Sequence, residues 1–116
     1  MPLNNETKLM GNLVKEPNVY ESEKGGHAKI RMAVNTKRGD VEDTLFIDVK
    51  LFGYAYKDFE YFTPDKGDRV LVIGRLAIEE FTDKEGNQRR EAVVYANSLQ
   101  KIAKREYVDT DAESKF

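Results

Sequence analysis

Residues 44–52 alternate in two sets: Leu45, Ile47, Val49 and Leu51 form one row, and Phe46, Asp48, Lys50 and Phe52 form the other. A period of two is the signature of a half-buried strand. The first row reads as a core face. The second sets two phenylalanines among charges, and a face that was merely solvated would gain nothing from those rings. The chemistry such a face can do is non-covalent. A flat ring stacks on any nucleobase without reading its edge, an interaction worth about 1–3 kcal/mol per base by alanine substitution. A neighbouring lysine neutralises phosphate, which makes binding strong at low salt and weak at high salt. The competing use of these rings is packing, in a core or, above all for Phe52, against another subunit.

Phe81 offers a third ring of the same kind. Arg75 shares its parity along one strand, and so does Glu79, which would oppose phosphate there. Arg31 has the parity to point outward. Lys37, Arg38, Arg89 and Arg90 fall in loops or at hairpin edges. Each alone reads as a solvated charge; together they could line the ends of a groove. Catalysis finds no support in the sequence. His27 is the only histidine and reads as a surface residue beside the Gly25-Gly26 turn. Glu79-Glu80 and Asp109-x-Asp111 pair carboxylates without companions, and a calcium loop would need a later glycine and glutamate. There is no phosphate-binding glycine loop, no dinucleotide fingerprint and no Ser/His/Asp set that spacing favours. The chain is expected to be neither an enzyme nor a carrier of metal or cofactor.

The elements that must position these residues follow from periodicity and breakers. Residues 7–14 read as a strand bent at Gly11, closed by Pro17. Residues 22–26 read as a loop. Residues 28–35 alternate, with Ile30, Met32 and Val34 on one side and Lys29, Arg31, Ala33 and Asn35 on the other. A charged loop around Gly39 spans 37–43, and the strand at 44–52 follows. Residues 54–62 switch to helical spacing through Ala55, Phe59 and Phe62, and Pro64 and Gly67 stop the helix. A long strand over 69–81, with Gly74 inside it, turns at Asp83-Lys84-Glu85-Gly86-Asn87 into a last strand over 89–102 with Val93, Tyr95 and Leu99 inward. Tyr20, Tyr54, Tyr56 and Tyr61 read as barrel and helix packing, with interface roles as a further use. Three strands, a short helix and a two-strand hairpin is the plan of the OB-fold: an all-β, five-stranded Greek-key barrel with a helix between strands three and four. Glycines inside two strands suit a small, strongly coiled barrel.

The 116 residues carry 40% hydrophobic and 34% charged side chains, enough for one folded domain with a modest core. The net charge of −2 at first argues against a nucleic-acid partner. Its distribution removes the objection. Residues 106–116 hold Glu106, Asp109, Asp111 and Glu113 against Lys115, whereas the preceding 105 residues hold 18 basic and 17 acidic side chains. The sequence therefore predicts a near-neutral domain over 1–105 and a short acidic tail over 106–116. No secretory leader is expected, no run of apolar residues is long enough to span a bilayer, and the absence of cysteine fits a cytoplasmic setting.

Four segments in one collinear order resemble the bacterial single-stranded-DNA-binding protein family. Leu9-Met10-Gly11-Asn12-Leu13 with Pro17 is similar to its first strand, and Val49-Lys50-Leu51-Phe52-Gly53 to the end of its third. Lys66-Gly67-Asp68-Arg69-Val70 with Ile73-Gly74-Arg75-Leu76 is similar to its fourth strand, and Phe81-Thr82-Asp83-Lys84-Glu85-Gly86 to its long hairpin. The resemblance spans about residues 7–102. It implies sequence-independent binding and protection of single-stranded DNA in replication, recombination or repair. It places the family's stacking aromatics on Phe46, Phe52 and Phe81, the first and last standing where tryptophan is usual; this chain has no tryptophan. A further tryptophan position falls on Arg38, whose guanidinium plane offers a substitute stacking surface. The resemblance also implies a homo-oligomer, a tetramer ahead of a dimer, and partner replication proteins recruited through an acidic tip. Here that tip is short, from Asp109 to the final Phe116, which favours a phage or plasmid origin. The alternative reading is an OB-fold accessory or assembly module, either of primosomal type or serving protein–protein interaction.

Overall fold

The computed structural model describes residues 4–23 and 25–103, the last by its backbone. The tail over 106–116, with its acidic tip, lies outside the described residues. Six strands and one helix run in the order β1 (Thr7–Leu13), β2 (Asn18–Ser22), β3 (Gly25–Arg38), β4 (Val41–Leu51), α1 (Tyr54–Phe62), β5 (Arg69–Thr82) and β6 (Gln88–Ala103). The sheet order is β1-β5-β6-β4-β3-β2. β1 also pairs with β3 through Asn12↔Ala33 and Leu13↔Met32, which closes five strands into a barrel. All pairings are antiparallel except β4 with β6. This is the expected OB-fold plan with one addition. β2 continues the β1 edge of β3, from Asn18↔Lys29 to Ser22↔Gly25.

The barrel closes around Leu13, Ile30, Met32, Val49, Leu51, Val70, Val72, Val94 and Leu99, all essentially without solvent contact. α1 caps one end with Ala55, Tyr56 and Phe59 inward and Phe62 packed against them. Two glycines permit the tight curvature. A Cβ on Gly11 would sit 2.3 Å from the Ala33 carbonyl oxygen, and one on Gly74 would sit 2.2 Å from that of Tyr95. No L side chain fits at either crossing.

Four expectations are corrected. The segment 37–43 is a β-hairpin, because β3 runs through Arg38, turns at Gly39 (φ 64°) and returns as β4 from Val41. Leu45 is half exposed, since the β3–β4 hairpin extends past the barrel at that point. The phase of β6 shifts at a bulge: Ile73 faces Ser98 but Gly74 faces Ala96, so Asn97 is an extra residue. The core residues of β6 are therefore Val94, Ala96 and Leu99. Tyr95 and Val93 lie on the outer face, where Val93 is covered by its neighbours on that face. Of the four tyrosines expected to pack, Tyr56 does; Tyr54 and Tyr61 project from α1 into solvent, and Tyr20 is exposed on β2.

Candidate nucleic-acid interface

The inward rows of β3 and β4 are filled by Ile30, Met32, Val34, Ile47, Val49 and Leu51. The alternate residues must therefore face out. Register then assembles them into rows that cross four strands. One row runs Lys29–Lys50–Tyr95–Arg75, and the next runs Arg31–Asp48–Val93–Ala77. Phe46 lies beside Ala33 on the same face, and Phe81 lies on β5 beside Arg89. Phe46, Phe52 and Phe81 are 53%, 48% and 43% exposed. These are unusually wet positions for phenylalanine, which is typically among the most buried residue types. Packing within this chain therefore does not account for Phe46 and Phe81, whereas Phe52 has one neighbour, the His27 ring stacked against it.

A depression on this face is lined by Lys29, Asp48, Lys50, Glu79, Phe81, Glu91 and Val93. Its lining combines five charged side chains with Phe81 and Val93. Lys50 Nζ donates to both carboxylate oxygens of Glu79 at 3.0 and 2.9 Å, and the Tyr95 hydroxyl donates to the same carboxylate. Each partner shifts the others. The hydrogen bonds from Tyr95 and then Lys50 hold Glu79 below the usual carboxylate range. The hydrogen bond to Glu79 raises Lys50 and also raises Tyr95. Arg75 lies over the Tyr95 ring, its guanidinium carbon 4.7 Å from the ring centroid. Arg31 Nη1 meets Asp48 at 2.9 Å.

The structure brings Phe46, Lys50, Arg31, Arg75 and Phe81 onto one outer face. Phe52 follows immediately after β4 at the same face. Lys37 and Arg38 sit at the tip of the β3–β4 hairpin, exposed and without an ion pair to any described residue. Arg89 is beside Phe81 but is held by Asp83 at 2.9 Å. Asp83 also accepts the backbone N–H groups of Glu85 and Asn87, so this carboxylate shapes the hairpin turn. Its pKa is lowered, first by the Arg89 hydrogen bond. Arg90 falls on the other side of the hairpin, paired across strands with Glu80 and 3.6 Å from its carboxylate, away from the phenylalanine face.

Sequence reasoning did not place Lys29, Tyr20 or His27 beside the phenylalanine face. Lys29 borders the depression and stands directly across from Lys50. Its outward parity was readable, but its neighbour was not. His27 is a strand residue, not a loop residue, and its ring stacks between Tyr20 and Phe52. Among the described residues, no group of three or more histidine, aspartate or glutamate side chains is placed to hold a metal ion.

The model of the single-strand binding protein family matches residues 4–102, which is nearly the whole described chain. The chain belongs to that family. It is 33% identical over 106 residues to a single-stranded DNA-binding protein of Wolinella succinogenes, covering 84% of this chain and 64% of that one. It is 34% identical over 101 residues to one from Thermus thermophilus, covering 84% of this chain and 37% of that one. The chain thus spans less than two thirds of either relative. A solved structure of the small single-stranded DNA-binding protein of Streptomyces coelicolor superposes with a TM-score of 0.72 at 22% identity, over 85% of this chain and 95% of that one. That match supports the barrel architecture. No described helix is long and apolar enough to cross a membrane.

Proposed function

We propose that this protein binds and protects single-stranded DNA without regard to sequence, serving replication, recombination or repair as a binding protein and not as a catalyst. The observation that carries the reading is the exposure of Phe46, Phe52 and Phe81 on one charged outer face of the barrel. In a single strand each base presents an open π-face, whereas in a duplex both faces are already stacked. Phe46, Phe52 and Phe81 take the bases, and Lys50, Arg31 and Arg75, joined by Lys29, take the phosphates. Lys37, Arg38 and Arg89 extend the path along the two hairpins, and Arg90 is left aside. Family membership supports the same reading, as do the relatives named single-stranded DNA-binding protein. It also supports a homo-oligomer, a tetramer ahead of a dimer, working in the cytoplasm. Recruitment of replication proteins belongs to residues 106–116 and is tested separately, by pull-down with and without them.

The test is a titration of oligo-dT, mixed-sequence single strands and duplex, followed by mobility shift or tyrosine fluorescence. The two single strands bind within a modest factor of each other, and duplex binds far more weakly. Equal affinity for duplex would reduce the interaction to charge attraction. Absence of any single-strand complex at low salt would leave the assembly-module reading in its place.

A further inference from the structure

Phe52 is not an isolated ring. Tyr20 of β2, His27 of β3 and Phe52 just after β4 stand side by side on three adjacent segments of chain. Tyr20 and His27 are cross-strand partners. Their ring centroids are 4.8 Å apart with planes 18° apart, and those of His27 and Phe52 are 4.7 Å apart with planes 17° apart. Near-parallel rings at this spacing form an offset stack. Every residue of β2 is exposed, and Tyr20 is 45% exposed, so the stack is not part of the core. A depression beside it is lined by Tyr20, His27, Lys29 and Lys50. Lys29 and Lys50 are the row immediately next to the stack, and both also border the Glu79 depression.

We propose that Tyr20 and His27 extend the Phe52 stacking position into a nucleotide subsite reaching the β2 edge of the barrel, with Lys29 as its phosphate partner. The proposal rests on the single-strand reading above and adds to it a direction for the strand. The bound strand passes from the depression beside Phe81 over Lys50 and Lys29 and leaves the barrel across Tyr20. A base that packs on an open outer face of this pile meets a ring already held in place by its neighbours, a more rigid π surface than a lone phenylalanine presents. Lys29 and Lys50 lie two residues along their strands from the stack and line one depression with Tyr20 and His27, so base and phosphate of one nucleotide are served by adjacent rows.

The test uses the full chain with oligo-dT. Tyr20→Leu combined with His27→Leu keeps apolar cover on β2 and β3 but removes the rings. Affinity falls about tenfold, while the melting temperature moves little. Lys29→Gln lowers the slope of log affinity against log salt by about 0.7, the share of one phosphate on a single strand. In parallel, strands carrying 5-iodouracil are photo-crosslinked to the wild-type protein and the attachment sites are read by mass spectrometry. Attachment at Tyr20 or His27 supports the subsite, including the case where the leucine variant does not fold. A leucine variant that binds as tightly as wild type would overturn the proposal and leave the stack as a device that pins β2. So would crosslinks confined to Phe46 and Phe81. A wild-type protein that binds no single strand at all would instead overturn the underlying functional reading.

Discussion

On the proposed function, Glu79 is the residue through which the free protein would oppose a single strand. Its carboxylate takes two hydrogen bonds from Lys50 and one from Tyr95, in the middle of the face assigned to phosphates. A backbone phosphate reaching Lys50 must displace that carboxylate or approach it. Glu79→Gln keeps the shape and removes the charge. The lost ion pair is partly exposed, with side-chain exposures of 29% for Lys50 and 34% for Glu79. Its free energy is therefore at most about 1 kcal/mol. Releasing Lys50 from it raises single-strand affinity by about two- to fivefold at low salt. The freed lysine counts as one further phosphate contact, which steepens the salt slope by about 0.7; over a fourfold rise in salt the gain shrinks about 2.6-fold. The assay is a salt series of oligo-dT titrations on both proteins. An unchanged slope, or weaker binding at low salt, would refute the idea that Glu79 competes with phosphate.

The same substitution has a pH signature. Glu79 is held below its ordinary value, so the stability it contributes is present above about pH 4.3 and is lost as pH falls through the lowered value. Lys50 and Tyr95 are raised, so their contributions are present below about pH 10 and are lost as pH rises through the raised values. Glu79→Gln therefore flattens the dependence of melting temperature on pH at the acid end.

Two predictions concern the scaffold. Gly74→Ala places a methyl group 2.2 Å from the Tyr95 carbonyl oxygen, and because that atom is backbone the β5–β6 bulge must break; circular dichroism and thermal melting report a lost or strongly weakened fold. Asp83→Ala removes the acceptor of Arg89 and of two turn N–H groups. It lowers stability by about 1–3 kcal/mol and frees Arg89 for phosphate, which a melting curve and a salt-slope measurement read separately.

The strands that build the barrel were legible because one side of each is buried. Alternation over 28–35 and 44–52 assigned the faces, and parity alone put Phe46 and Phe52 outside. Asn18–Ser22 was not legible: all five residues are exposed, so no burial pattern marks them, and the segment is a strand only through its pairing with β3. The phase of β6 was misread because the extra residue at Asn97 reverses inward and outward, and no local signal announces it. The ion pair of Lys50 with Glu79 and the stack of Tyr20, His27 and Phe52 join residues far apart in sequence. They required register, which a single sequence does not contain. Arg90 carried the right charge at the right hairpin, and only the register shows it on the wrong side.

The central claim is that bare phenylalanines, and not charge alone, hold the strand. The direct measurement is oligo-dT affinity of the double substitution Phe46→Ala and Phe81→Ala, taken with its melting temperature. Both rings are about half exposed, so the account predicts a melting temperature near that of wild type. It predicts an affinity loss of about 30-fold or more, from two stacks of at least about 1 kcal/mol each. An unchanged affinity, or a collapsed melting transition showing that the rings belong to the core, would contradict it.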